Sequence, residues 1–177
     1  NTEFNINVVV ADVVGLYGID IGFAWDPEYL AYLNHTAHIT ADDYTDGILW
    51  KPGMFVTNTV DPVAGTYAVA YACMDPAPSF NGTGIAFDMW FRIAKQPMGI
   101  EPDAVIALDL TSTDLSNKAG IPITHDRYDG EVIIHTKPMT YPPEPLLKVD
   151  PAAVSGLPAG TLFDSSVYLM GRDHLGL

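Results

Sequence analysis

Apolar and polar residues alternate from the start of the chain. Phe4, Ile6, Val8 and Val10 alternate with Asn5 and Asn7, the period of two expected of a strand with one face buried. The turn Val14-Gly15-Leu16-Tyr17-Gly18 leads into a second alternation, Ile19, Ile21, Phe23 and Trp25. Asp26-Pro27 stops it, because proline has no ladder donor and the aspartate before it can seed a turn. Further strands are predicted over Met54–Val60, Thr66–Cys73, Gly84–Ala94, Ala104–Leu110 and Glu131–Thr136. Asp61-Pro62, Asp75-Pro76, Asn81-Gly82 and Asp129-Gly130 punctuate them. Residues 34–53 read as a polar loop, and no apolar run at helical spacing exceeds two turns. Short strands with turn chemistry between them predict an all-β sandwich over residues 1–136.

The pattern breaks at residues 137–145, which include Tyr141-Pro142-Pro143-Glu144-Pro145, and resumes in a strand-bearing tail, residues 146–177. Two strands are expected there, Leu146–Val154 and Thr161–Met170, and an isolated pair of strands is marginal in water. Aligning Gly160–Leu169 with Asn1–Val10 matches Thr161 to Thr2, Phe163 to Phe4 and Val167 to Val8. A further strand precedes the repeated segment in the tail, and none precedes it at Asn1. The expectation is a sandwich short of its first strand, carrying a spare one at its end.

Charge narrows the partners. Eight Lys and Arg against 22 Asp and Glu give a net charge of −14 among 177 residues. Nucleic acid needs a basic surface and is excluded, as is an anionic membrane surface. No window approaches 18 uninterrupted apolar residues, so no membrane insertion is expected. The lone Cys73 leaves no intrachain disulfide. The opening at Asn1 fits an exported precursor with its leader removed. Asn34-His35-Thr36 and Asn81-Gly82-Thr83 are acceptor sequences for N-glycosylation, at Asn34 and Asn81.

Candidate chemistry is sparse, and no enzyme is expected. Asp42-Asp43-Tyr44-Thr45-Asp46-Gly47 has the look of a calcium loop, but its third position is Tyr44 and its twelfth Gly53, where a bidentate Glu is needed. No cofactor is assigned; a non-helical calcium site stays open, without a full motif behind it. His35 and His38 have no third zinc ligand in view and read as surface histidines. Cys73 reads as a small buried hydrophobe. Trp25 and Trp90 are expected in the core, and Trp50 is the more open candidate for a sugar platform.

Several of these stretches resemble cohesin domains. The carriers are Val14–Leu30, the segment Gly82–Phe91, Leu110–Ile123 and Asp129–Ile134, in the family's order over about residues 1–136. The closest likeness is to cohesin-like repeats of archaeal surface proteins. The resemblance implies a nine-stranded jelly-roll sandwich whose first and last strands pair side by side. It also implies an opening of the type Lys-Val-Asp-Pro followed by Thr-x-Phe. Lys148-Val149-Asp150-Pro151 and Thr161-Leu162-Phe163 are similar to that opening, displaced to the tail.

The function expected from these readings is structural: a subunit of an extracellular, pilus-like or tubular filament, polymerising head-to-tail by donation of a tail strand to the next copy. The donor residues are Leu146, Leu147, Val149, Val154, Leu162, Phe163, Val167, Tyr168 and Leu169; the acceptor edges carry Phe4, Ile6, Val8, Val132 and Ile134. Burying six tail side chains contributes about 10 kcal/mol before ordering costs, at roughly 1.5–3 kcal/mol each. The alternative is a cohesin-type protein- or carbohydrate-binding module of a cell-surface protein, with surface glycans as a further partner class. A tail folded back on its own domain is the third arrangement.

Overall fold

A computed structural model describes residues 2–38, 47–138, 146–150 and 166–170. Contacts divide the chain into two units, Asn1–Lys137 and Pro138–Leu177.

The first unit is built on one long strand. β1 runs from Glu3 to Trp25, followed by β2 (Leu30–Ala37), β3 (Gly53–Asp61), β4 (Thr66–Cys73), β5 (Phe80–Ile93), β6 (Ala104–Asn117) and β7 (Gly130–Ile134). β1 changes neighbours half-way. Its segment Glu3–Val10 pairs antiparallel with β5 (Phe4 opposite Phe91, Val8 opposite Phe87), and β5 in turn pairs with β2. Its segment Gly18–Ala24 lies between β4 (Ile21 opposite Val69) and β6 (Ile21 opposite Thr113), and β4 carries β3 on its far side. Leu108 pairs with Trp25 of β1 and also with Gly130 of β7, so β7 lies on the opposite edge of β6 from β1.

The expected turn at residues 14–18 is therefore a corner inside a continuous strand. The ladder slips between Val8 and Val9, between Val10 and Val13, and between Val13 and Leu16. Asp12 and Gly15 have φ of 52° and 75°, the left-handed region that Asp tolerates better than most residues. Side chains of β5 hold this corner. The Asp12 N–H donates to Thr83 Oγ1 at 2.9 Å, the Gly15 N–H donates to Asn81 Oδ1 at 2.8 Å, and the Thr83 hydroxyl donates to Asp12 Oδ1 at 3.2 Å.

Because β1 turns this corner, the sheet closes over a single core. Phe87 of β5 meets Phe23 of β1 and Tyr67 of β4 edge-on, with ring centroids 5.8 and 4.9 Å apart, and Phe91 meets Trp25 at 5.2 Å. Such pairs add about 0.5–1.5 kcal/mol beyond their area. Leu16, Leu30, Ile48, Leu49, Val69 and Met89 complete the centre, all fully buried.

Three expectations need correction. Leu30–Ala37 is a strand, although residues 34–37 read as loop. Trp90 is 40% exposed because it alternates with the buried Met89 and Phe91; Trp50 is half-buried and packs on the core. His35 and His38 are not free surface histidines. His35 Nδ1 lies 2.6 Å from the Tyr32 hydroxyl and its Nε2 lies 3.1 Å from Asn58 Oδ1, while His38 Nε2 lies 2.5 Å from Asp88 Oδ2. Cys73 is buried, and burial pushes its thiol pKa up.

The second unit contains β8 (Leu146–Asp150) and β9 (Ser166–Met170), an antiparallel pair with Leu147 opposite Leu169 and Val149 opposite Val167. These strands are shorter than the expected Leu146–Val154 and Thr161–Met170, whose remaining residues lie outside the described ones, as do residues 139–145 of the Pro-rich break.

A test of the corner and the β3–β4 turn uses two glycines of similar φ. At Gly65 (φ 67°) an added Cβ would lie 2.3 Å from the Trp25 carbonyl oxygen; at Gly15 it would meet nothing within 4 Å. Gly65→Ala is expected to cost clearly more than the ~1 kcal/mol set by φ alone, and Gly15→Ala about that amount. Urea-unfolding midpoints rank the two.

Candidate functional site

The two seams of the sandwich differ. On one side, β2 and β3 are tied across the gap between the layers. His35 of β2 reaches Asn58 of β3, whose Oδ1 also accepts from the Tyr67 hydroxyl at 2.9 Å. The His35 and Tyr67 rings lie 4.5 Å apart, and Trp25 stacks on Tyr32 at 6.2 Å. With His35 Nε2 donating to Asn58, its Nδ1 is left to accept from Tyr32. That seam is closed by side chains.

On the other side no ladder is made among the described residues. The Glu3–Val10 segment of β1 pairs with β5 alone, and β7 pairs with β6 alone. Both free edges border the core. Phe4, Ile6 and Val8 turn half-buried side chains inward from β1, and Val132 (half-buried) and Ile134 (buried) do so from β7. Glu3, Asn5, Asn7, Glu131 and Ile133 point outward. Beside the β1 edge lies a groove of about 550 Å³. Residues 8–14 of β1 form one wall, residues 123–128, which run into β7, form the other, and Ile21, Leu110 and Leu115 form the floor. Its rim carries exposed apolar groups: Val9 is 50%, Val14 76% and Tyr128 82% exposed.

An unpaired strand edge over an apolar floor is a template for another strand. It leaves a row of N–H and C=O groups for a ladder and a surface for alternate side chains. Polar contacts fix the far wall. His125 bridges the Ile123 carbonyl (Nδ1, 2.8 Å) and Thr113 Oγ1 (Nε2, 2.9 Å), and Asp129 Oδ1 accepts from the Leu110 N–H at 2.8 Å. Beyond β7, Asp103 accepts from the Thr136 N–H at 2.7 Å and lies 2.7 Å from His135 Nδ1. The Thr136 N–H bond, helped by His135, lowers the Asp103 pKa below its ordinary value.

The expected acceptor residues Phe4, Ile6, Val8, Val132 and Ile134 thus lie on the two free edges. Leu146, Leu147 and Val149 lie on β8, and Val167, Tyr168 and Leu169 on β9. Val154, Leu162 and Phe163 lie outside the described residues, and so do residues 42–46 of the calcium-like loop. Asn34 on β2 and Asn81 on β5 are exposed, and Asn81 also braces the Gly15 corner. Residues 9–14 and 123–128 of the groove were not anticipated. Val8-Val9-Val10, where alternation gives way to a continuous apolar run, was the available signal. Among the described residues no group of three or more His, Cys, Asp or Glu side chains is placed to hold a metal ion. Nor is any helix there long and apolar enough to cross a membrane.

The architecture is that of a cohesin-like jelly-roll sandwich. No family model and no curated protein matches the sequence, but solved cohesin structures match the fold. A non-cellulosomal cohesin from the archaeon Archaeoglobus fulgidus superposes with a TM-score of 0.54 at 13% identity, over 78% of this chain and 82% of that one. A type I cohesin–dockerin complex from Clostridium thermocellum gives 0.59 at 10% identity, over 77% and 86%. A type I cohesin from Pseudobacteroides cellulosolvens gives 0.55 at 17% identity, over 80% and 86%.

Asp103 provides a pH test of how the β7 edge is anchored. Its pKa is lowered on folding, so its contribution is fully present above the ordinary value of 3.8 and is lost as pH falls through the lower folded value. Exchange of the Thr136 amide, corrected for intrinsic rate, should quicken below about pH 4. In Asp103→Asn, which keeps an acceptor but no charge, that acid dependence should be absent.

Proposed function

We propose that the first unit is a non-enzymatic protein-binding module that works by accepting a β-strand between the free edges of β1 and β7. The observation that carries this reading is the pair of unladdered edges beside an apolar groove, in a sandwich whose opposite seam is closed. Cohesins in the matched structures bind dockerins, which favours a protein as partner. Strand addition would give such a partner main-chain hydrogen bonds along β1 and pockets for every second side chain.

A second reading, head-to-tail assembly into an extracellular or cell-surface filament, is favoured by β8 and β9, two strands of the second unit that have only each other as ladder partners among the described residues. A tail that fills the groove of the next copy makes a heterologous contact, which need not close and so propagates. Asn34 and Asn81, both exposed, would then carry glycans.

The probe is a synthetic peptide of the sequence Leu146–Val154 added to the full chain. Occupancy at ~100 times Kd stabilises the native state by about 2.7 kcal/mol, a rise of several degrees in Tm. Amide exchange should slow along Glu3–Val10 and Gly130–Ile134. Protection elsewhere, or none, overturns strand acceptance at this site. For the filament reading, scattering and negative-stain images of the full chain should show concentration-dependent growth that the peptide caps; a chain monomeric at every concentration overturns it.

A further inference from the structure

The second unit shows how such a strand would sit. Resting on the strand-accepting reading above, we infer that the occupant of the groove is Leu146–Asp150 of a second copy of this chain, in one definite register. It runs antiparallel to Asn7–Ala11 of β1, with Val149 opposite Val8, Lys148 opposite Val9 and Leu147 opposite Val10.

Two observations combine to give this register. In the internal repeat, Thr161, Phe163 and Val167 correspond to Thr2, Phe4 and Val8, so Ser166–Met170 corresponds to Asn7–Ala11. In the structure, β8 pairs with that same repeated segment: Leu146 with Met170, Leu147 with Leu169, Lys148 with Tyr168, Val149 with Val167 and Asp150 with Ser166. Transferring these pairs to β1 places Leu147 and Val149 beside Val10 and Val8, the two residues of that stretch whose side chains turn inward. Lys148 and Asp150 fall beside Val9 and Asn7, which face outward. A slip of one residue would turn both apolar residues to solvent, so the register agrees with burial although burial played no part in deriving it.

Length and charge agree too. β8 is five residues long and bounded by Pro145 and Pro151, which cannot extend a ladder on their donor side. β7, the other free edge, is also five residues long. The β1 stretch to be covered contains four of the residues that wall the groove, Val8 to Ala11. Lys148 would bring a positive charge to a groove lined by Asp12 and Asp126 as well as by Arg127. In its own hairpin β8 is paired with β9; in the groove β1 takes the place of β9, and residues 123–128 form the opposite wall.

The test uses the full chain and two exposed-face cysteines on separate molecules. Val9→Cys protein is mixed with Lys148→Cys protein and treated with a short thiol-to-thiol cross-linker; each variant alone is the control for the buried Cys73. The mixture should give a covalent heterodimer. Val9→Cys with Leu146→Cys or Asp150→Cys, shifted by two residues on the same face, should give a yield about fivefold lower, since diagonal neighbours lie ~7–8 Å apart against ~4.5–5.5 Å for direct partners. No heterodimer, equal yields in all three mixtures, or a cross-link formed only within one chain by the Val9→Cys/Lys148→Cys double variant each overturns the inference. If the Leu146–Val154 peptide still protects Glu3–Val10 in that case, strand acceptance stands and the occupant or register is what failed. If the peptide protects nothing, both fall together.

Discussion

Backbone hydrogen bonding of β1 is the constraint on which the rest depends. A strand offers donors and acceptors on both edges, and those not paired must meet water or another strand. Over Gly18–Ala24 both edges of β1 are satisfied, by β4 and β6; over Glu3–Val10, among the described residues, only the β5 edge is. The corner at Asp12 and Gly15 causes this difference, because it carries the strand out of one layer and into the other before it can keep its neighbours. Thr83 and Asn81 hold that corner, so two β5 side chains decide where the free edge lies.

The two seams are built differently. At β2 and β3, Tyr32, His35, Asn58 and Tyr67 link the two layers through side chains, although no ladder joins the two strands. At β1 and β7 the half-buried Ile6, Val8 and Val132 line free strand edges instead. Natural edges are usually blunted by charge, proline or a bulge. β1 does carry bulges, but they lie at Val8–Leu16, and of its outward residues Glu3, Asn5, Asn7 and Val9 only Glu3 is charged.

Alternation made most of the sandwich legible, because period-two burial is a local property of the sequence. It failed where a strand exists for tertiary reasons. Asn34-His35-Thr36 reads as loop, yet it is held in β2 by pairing with β5, while His35 is held by Asn58, 23 residues away. Trp90 alternates too, but on the other parity: Phe87, Met89 and Phe91 face inward, so Trp90 faces out. That Phe4, Ile6 and Val8 border a strand edge was readable because they sit at a strand that resemblance left without a neighbour. The second wall, residues 123–128, was not, since nothing local marks a segment whose position is set by His125 and Thr113. Gly15 and Gly18 together imitate a turn, but Gly18 lies within the ladder, opposite Ala72 and Ser116.

Pairing β8 with β9 has a consequence for how an exchange could be controlled. A strand competent to enter the groove is also competent to add to any exposed edge, and an unpaired one would be an aggregation hazard. Held against β9, one of its two edges is occupied, and pairing that edge with β1 must replace the β9 ladder. The replacement is favoured only where apolar cover comes with it, as it would over the groove. Net charge acts in the same direction. At −14 per chain, unspecific approach of two copies is repelled over about 8–10 Å at moderate salt, and only a contact with directional hydrogen bonds and buried apolar groups overcomes it. Hairpin and charge together would make association selective for the one edge pair able to offer both.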